Sequence, residues 1–290
     1  MLVYDRTVTP KTSRSSRTKR KSAGARRTDQ FSNDRLVETL VAGWRPLSRL
    51  DVDGFAILRS RGVSRRANCI VPIDPPSDPE GLAAALDRVL ALSSASGERE
   101  LVRILPDHGH EGVDAALADR GFTIEAPCDL LELPLDQKLP APDPRARIET
   151  GPLPEDWFTA SWRLSPRDGD GARETLHDIL AGTPAVHVAI DEEPPESGAG
   201  SGVTLIAVGR AALVDHGRAR SAVLNQIATD PDHRGEGLAT AVVGTLLAAA
   251  SVQGATRALL EVETDNAAAL ALYRKLGSRR IGAYHYRVEE

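Results

Sequence analysis

The stretch from Asn225 to Ala250, NQIATDPDHRGEGLATAVVGTLLAAA, combines residue types that can hold an anion with little help from side chains. A short apolar run stops at Asp230-Pro231, a basic turn carries glycines at 235 and 237, and an alanine-rich helical pattern begins at Leu238. Glycines at the mouth of a helix leave bare N–H groups at the positive end of its dipole, where a phosphate or another anion is stabilised. Downstream, NAAALALYRKLG sets Asn266 and Tyr273 seven residues apart. Two helical turns put them on one face, about 10 Å apart along the axis, within reach of a single long ligand.

Three loops could use such a turn. A dinucleotide fingerprint wants a third glycine where this chain has Thr240, and wants the first glycine directly after the strand, where Asp-Pro-Asp-His intervenes. A Gly-Lys-Ser/Thr phosphate loop is absent from the turn. The third loop binds acyl-CoA. Gly235 and Gly237, preceded by Arg234, resemble the Gln/Arg-x-x-Gly-x-Gly/Ala turn of the GNAT N-acetyltransferase superfamily, with Asp232 where Gln or Arg is usual. DNAAALALYRKLG resembles the Asn…Ala…Leu-Tyr-x-x-Leu-Gly segment of the same superfamily.

The resemblance implies an α/β fold, a mixed sheet flanked by helices, with acetyl-CoA as co-substrate and no metal. It implies that the amides from Gly235 through Glu236, Gly237, Leu238 and Ala239 to Thr240 hold the pyrophosphate, with Arg234 beside them. The backbone of Ile227, Ala228 and Thr229 would pair with the pantetheine arm like an added strand. Asn266 would hydrogen-bond that arm, and Tyr273 would protonate the departing thiolate as general acid.

The acceptor is harder to read. An attacking amine must lose a proton, and Asn225 and Gln226 beside the cofactor strand are not bases. Glu261 and Glu263 alternate onto one face of RALLEVET, and Glu263, near the strand end, is the candidate base. The segments DGF, RRAN (Arg65 to Asn68) and YHYR (Tyr284 to Arg287) resemble a group of actinobacterial two-domain GNAT proteins, some assigned as N-acetylglutamate synthases. That resemblance implies L-glutamate as acceptor, arginine biosynthesis as pathway, and Arg287, His285 and Arg163 as available cations for its carboxylates. A protein N-terminus, a lysine or an amine antibiotic remain alternative acceptors. A CoA-sensing binding protein is the alternative of a different class, although a sensor has no thiolate for Tyr273 to protonate.

Two halves with the same order of elements must position these residues. Four prolines between Pro134 and Pro144 mark a linker. This predicts a basic tail over 1–33, a degenerate GNAT-like domain over 34–141 and a catalytic domain over 142–290. Aligning Gly121 with Gly277 sets Leu117 against Tyr273 and His110 against Asn266, and PPSDPEG lacks the Arg-Gly-x-Gly spacing. DEEPPESGAGSG reads as a flexible hairpin loop, since no helix follows its glycines. DHGHE (Asp107 to Glu111) reads as the loop before a helix rather than a metal site, and DVDG (Asp51 to Gly54) as a β-turn. Trp157 and Trp162 read as anchors of a helix.

Bulk properties exclude little else. The chain has 290 residues, 41% of them hydrophobic, and no apolar run of the ~18 residues a membrane span needs. Two distant cysteines, Cys69 and Cys128, read as reduced thiols of a cytoplasmic protein. The first 30 residues carry nine Lys/Arg and two Asp, so of the overall charge of −5 the remaining 260 hold −12. An acidic body argues against nucleic acid as main partner, the tail aside. It leaves a small-molecule amine as the expected partner.

Overall fold

The computed structural model describes residues 33–289 except 96, 98 and 193–203. The basic tail and most of the DEEPPESGAGSG loop lie outside the described residues. In chain order the elements are α1 (Asn33–Gly43), β1 (Ser48–Val52), β2 (Phe55–Arg59), β3 (Ile70–Pro72), α2 (Pro79–Ser94), β4 (Leu101–Ile104), α3 (Glu111–Ala118) and β5 (Thr123–Pro134). After the proline linker come β6 (Ala146–Gly151), α4 (Glu155–Leu164), α5 (Ala172–Ala181), β7 (Ala185–Asp191) and β8 (Leu205–His216). The chain continues through β9 (Ala219–Thr229), α6 (Leu238–Val252), β10 (Arg257–Glu263), α7 (Ala267–Lys275) and β11 (Arg279–Val288). No helix among the described residues is long and apolar enough to cross a membrane.

The eleven strands of the described residues join one sheet in the order β1-β2-β3-β4-β11-β5-β10-β9-β8-β7-β6. The order is not that of two sheets laid side by side. β5, from the first half of the sequence, lies between β10 and β11, and β11, from the second half, lies between β5 and β4. Glu132 on β5 fastens this exchange: nearly buried, it accepts from Arg279 Nε at 2.8 Å on one neighbour and pairs with Arg257 at 3.4 Å on the other.

Local chemistry accounts for the elements that were legible in sequence. Asp53 (φ 47°) and Gly54 (φ 83°) make the two-residue turn between β1 and β2, the left-handed pair that matches strand twist. α3 and α7 end alike, on Gly121 (φ 87°) and Gly277 (φ 89°). The following amides of Phe122 and Ser278 return to the carbonyls of Leu117 and Tyr273 at 3.1 and 3.0 Å. This closure ties Tyr273 to the fixed end of its helix.

α1 packs on β8 and β9, and its last residue, Gly43, approaches so closely that a Cβ there would sit 2.5 Å from Val223. Arg210, fully buried on β8, donates to Gly43 O (3.2 Å) at the end of α1 and to Leu180 O (2.8 Å) and Thr183 O (2.9 Å) at the end of α5. Burial pushes its pKa down to about 9. The negative ends of two helix dipoles converge on this guanidinium in place of a carboxylate.

Candidate active site

β9 and β10 pair in parallel only where Ser221–Val223 face Arg257–Leu259, and beyond that they part. The cause is an extra residue in β9. Its register against β8 slips between Val208/Ala228 and Arg210/Asn225, and Gln226 takes a left-handed φ of 51°. Opposite, Gly209 lets α6 lie against the sheet, since a Cβ there would come within 2.5 Å of Val242. The parted strands open a cleft of about 550 Å³.

At one end of β9, past Ile227, Ala228 and Thr229, Asp230 caps a short 3-10 turn by accepting the Asp232 N–H at 3.1 Å. Arg234 is extended, and Gly235 and Gly237 have φ of 88° and 78°, so both glycines are required by backbone conformation. α6 starts at Leu238, which is buried and anchors the helix start, while Glu236 is exposed. The amides of Gly235 to Thr240 find no acceptor among the described residues. They form a cradle for an anion at a helix N-terminus.

Tyr273 and Asn266 both line the cleft. Tyr273 is 7% exposed, and burial pushes its phenol up to about 12, so it keeps its proton at neutral pH. Asn266 caps α7 through Oδ1, which accepts the Ala269 N–H at 3.1 Å. Its amide nitrogen is the part left for a ligand.

The two β10 carboxylates share a face but not an environment. Glu261, 2% exposed, is paired with buried Arg103 and with Arg66 at 3.1 Å. Glu263, 57% exposed, meets Arg65 at 3.6 Å. All three arginines belong to the first half, which helps to build the cleft through Arg65 and Arg66. Buried Asn68 holds their loop: its Oδ1 accepts from Ser60 N (2.6 Å) and Gly62 N (3.0 Å), and its Nδ2 donates to Val63 O and Ser64 O (2.8 Å each). Arg61 and Ser64 are kept at φ 53° and 71° by this grip. Arg167, from the loop between α4 and α5, and Tyr284 and Tyr286 complete the walls.

His285 and Arg287 do not face the cleft as expected, because side chains alternate along β11. Tyr284 and Tyr286 take the cleft side, and the other two turn to α3, where both hydrogen-bond Asp114 Oδ1, at 2.8 and 2.7 Å. Arg163 is likewise occupied, by Asp230 at 2.8 Å and Leu205 O at 2.6 Å. The two aromatic rings in YHYR were the residues to choose, since only they fit a buried strand face. Trp157 anchors α4, donating its indole N–H to Val188 O at 2.9 Å. His110 precedes α3 and accepts the Leu105 N–H at 3.1 Å.

The first half has a counterpart of the glycine turn that is already filled. Asp78 caps α2 with its own carboxylate, accepting the Gly81 N–H at 2.7 Å, and Pro79 removes another donor. Leu117, fully buried, stands where α7 has Tyr273. An anion built into the chain leaves little for a phosphate to gain there.

Residues 155–278 match the sequence profile of the acetyltransferase (GNAT) family. The uncharacterized N-acetyltransferase YobR of Bacillus subtilis (strain 168) is 39% identical over 66 residues, 23% of this chain and 27% of that protein. The chain thus spans about a quarter of that relative's length. A GCN5-related N-acetyltransferase from Kribbella flavida superimposes with a TM-score of 0.63 at 16% identity, covering 89% of this chain and 96% of the other. A tandem GNAT protein from the clavulanic acid biosynthesis pathway gives 0.59 at 13% identity, covering 91% and 96%. At such identities the likeness is one of fold. The fold is that of the GNAT acetyltransferases, and the family's sequence profile matches residues 155–278.

Proposed function

We propose that the protein transfers an acetyl group from acetyl-CoA to a primary amine, with a small amino acid such as L-glutamate as acceptor. The observation that carries this reading is the convergence on one cleft of three features. They are the open amide cradle at Gly235 to Thr240, the unpaired β10-facing edge of β9 beyond Val223, and the protonated Tyr273. The pyrophosphate sits on the cradle, and the pantetheine arm runs along Ile227 to Thr229 towards Asn266. The amine attacks the thioester carbonyl directly in a ternary complex.

As the C–S bond breaks, the Tyr273 hydroxyl donates to the thiolate. A phenol near 12 holds this proton at neutral pH, so it stabilises the leaving group as a standing donor. We assign removal of the amine proton to Glu263. Of the two β10 carboxylates, Glu261 is consumed by two arginines, whereas Glu263 is exposed and touches one. The test is CoA release from acetyl-CoA with and without L-glutamate. Tyr273→Phe is expected to lower kcat by about 10²-fold or more with little change in acetyl-CoA binding. Unchanged turnover in that variant would remove Tyr273 from the mechanism. Failure of the protein to bind acetyl-CoA at all would overturn the reading.

A further inference from the structure

The charge pattern of the cleft selects among acceptors, and one guanidinium in it stands apart. Arg66 pairs with Glu261, which it shares with Arg103, and Arg65 pairs with Glu263. Arg167 has no carboxylate partner among the described residues. It is held in place by neutral acceptors: Nη1 donates to Ser165 Oγ (2.8 Å), Ser165 O (3.2 Å) and Pro166 O (3.2 Å). Its Nη2 donates to Gln226 Oε1 (3.2 Å). Gln226 is the left-handed bulge residue of β9, and it is itself fixed by donating to Ser161 Oγ at 3.1 Å.

A second, independent feature points the same way. Tyr286 lines the cleft, is 2% exposed, and its hydroxyl has no hydrogen-bond partner among the described residues. A buried hydroxyl without a partner carries a desolvation penalty that a bound acceptor group removes. Burial and the nearby charge of Arg66 also push the Arg167 pKa down, which marks an uncompensated cation.

We infer that Arg167 anchors a carboxylate of the acceptor, with the Tyr286 hydroxyl as a further donor in the same cleft, so that the enzyme acetylates amines that also carry a carboxylate. The inference rests on the acetyltransferase reading and deepens it. A planar carboxylate suits a guanidinium better than a point charge does, because two parallel N–H donors can meet its two oxygens. A polycationic amine, by contrast, would meet like charge at Arg167, the cleft guanidinium with no carboxylate partner among the described residues. This separates amino acid acceptors from amine antibiotics and lysine-rich tails.

The test uses the full chain and three amines: L-glutamate, its diamide, and putrescine. The wild type is expected to favour glutamate over the diamide and putrescine by tenfold or more in kcat/KM. Arg167→Gln is expected to raise the KM for glutamate at least tenfold and abolish the preference, with the KM for acetyl-CoA unchanged. Arg167→Lys should recover part of the loss. Calorimetry of L-glutamate binding to the CoA-loaded protein gives a readout without turnover: binding should be lost in Arg167→Gln and kept in Tyr273→Phe. A wild type that prefers the diamide or putrescine, or an Arg167→Gln variant that binds glutamate normally, overturns the anchor while the acetyltransferase reading stands. Absence of acetyl-CoA binding overturns the acetyltransferase reading itself.

Discussion

His187 sits on β7 at 2% exposure with neither ring nitrogen hydrogen-bonded among the described residues, edge-on to Trp157 and opposite Arg210 on the neighbouring strand. Burial, then the charge of Arg210, pushes its pKa down to about 3, and burial does the same to His110, to about 4. In the unfolded chain both take a proton near 6.5. Below that pH the unfolded state therefore binds more protons than the folded one, and stability falls as pH falls. Each histidine contributes a slope of about 1.4 kcal/mol per pH unit, the first acting down to about pH 3 and the second to about pH 4. Urea midpoints should decline steadily from pH 6.5 to pH 4, and His187→Leu should flatten the decline. A midpoint independent of pH over that range would show that the imidazoles are not held neutral. The same scale explains what was hidden in the sequence. With 31 arginines among 290 residues, nothing local marks Arg65, Arg66 or Arg167 as different from the rest. Arg66 finds Glu261 across 195 positions, and only the fold makes that pairing.

At the scale of elements, the glycine turn and α7 were legible because their signals are backbone chemistry confined to a dozen residues. A left-handed φ calls for glycine, a helix start offers amides, and seven-residue spacing fixes a face. The turn gives a clean experiment. A Cβ at Gly237 meets no atom, so Gly237→Ala perturbs the site only through its φ of 78°. That strain costs roughly 1–2 kcal/mol and should shift the amide cradle. We expect acetyl-CoA to bind at least fivefold more weakly, with kcat at saturation largely kept. Gly217, in the β8–β9 turn, is a matched control with φ 68° and open space. Its Ala variant should lose similar stability and leave the KM for acetyl-CoA alone. Equal effects of both variants on KM would show that the cradle is not a ligand site. Less legible was the β9 bulge: no residue type in NQIAT announces that Gln226 leaves the pleat, and without the bulge β9 and β10 would not part.

At the scale of the molecule, the proline linker was visible but the pairing of strands across it was not. Period-two patterning says that a strand has two faces, and not which strand lies at its edge. β5 and β11 each complete the other half of the sheet, so the halves share a hydrogen-bonded seam. Residues 142–290 alone would expose the edges of both β10 and β11, where β5 belongs. This segment is expected to be protease-sensitive and to lack near-UV circular dichroism, and to regain both on mixing with residues 33–141. If it folds as a monomer and releases CoA unaided, the exchange is not required for the site.

The exchange also sets the order of events during synthesis. β5 is complete at Pro134, yet the neighbour that separates it from β4 starts only at Arg279. At about 5–20 residues per second, the ribosome needs about 7–30 s to cover that interval. Until β10 and β11 arrive, one edge of β4 and both edges of β5 are unfilled, and open strand edges are where nascent chains pair wrongly with one another. The described residues thus form one folding unit in time, as they form one sheet in space.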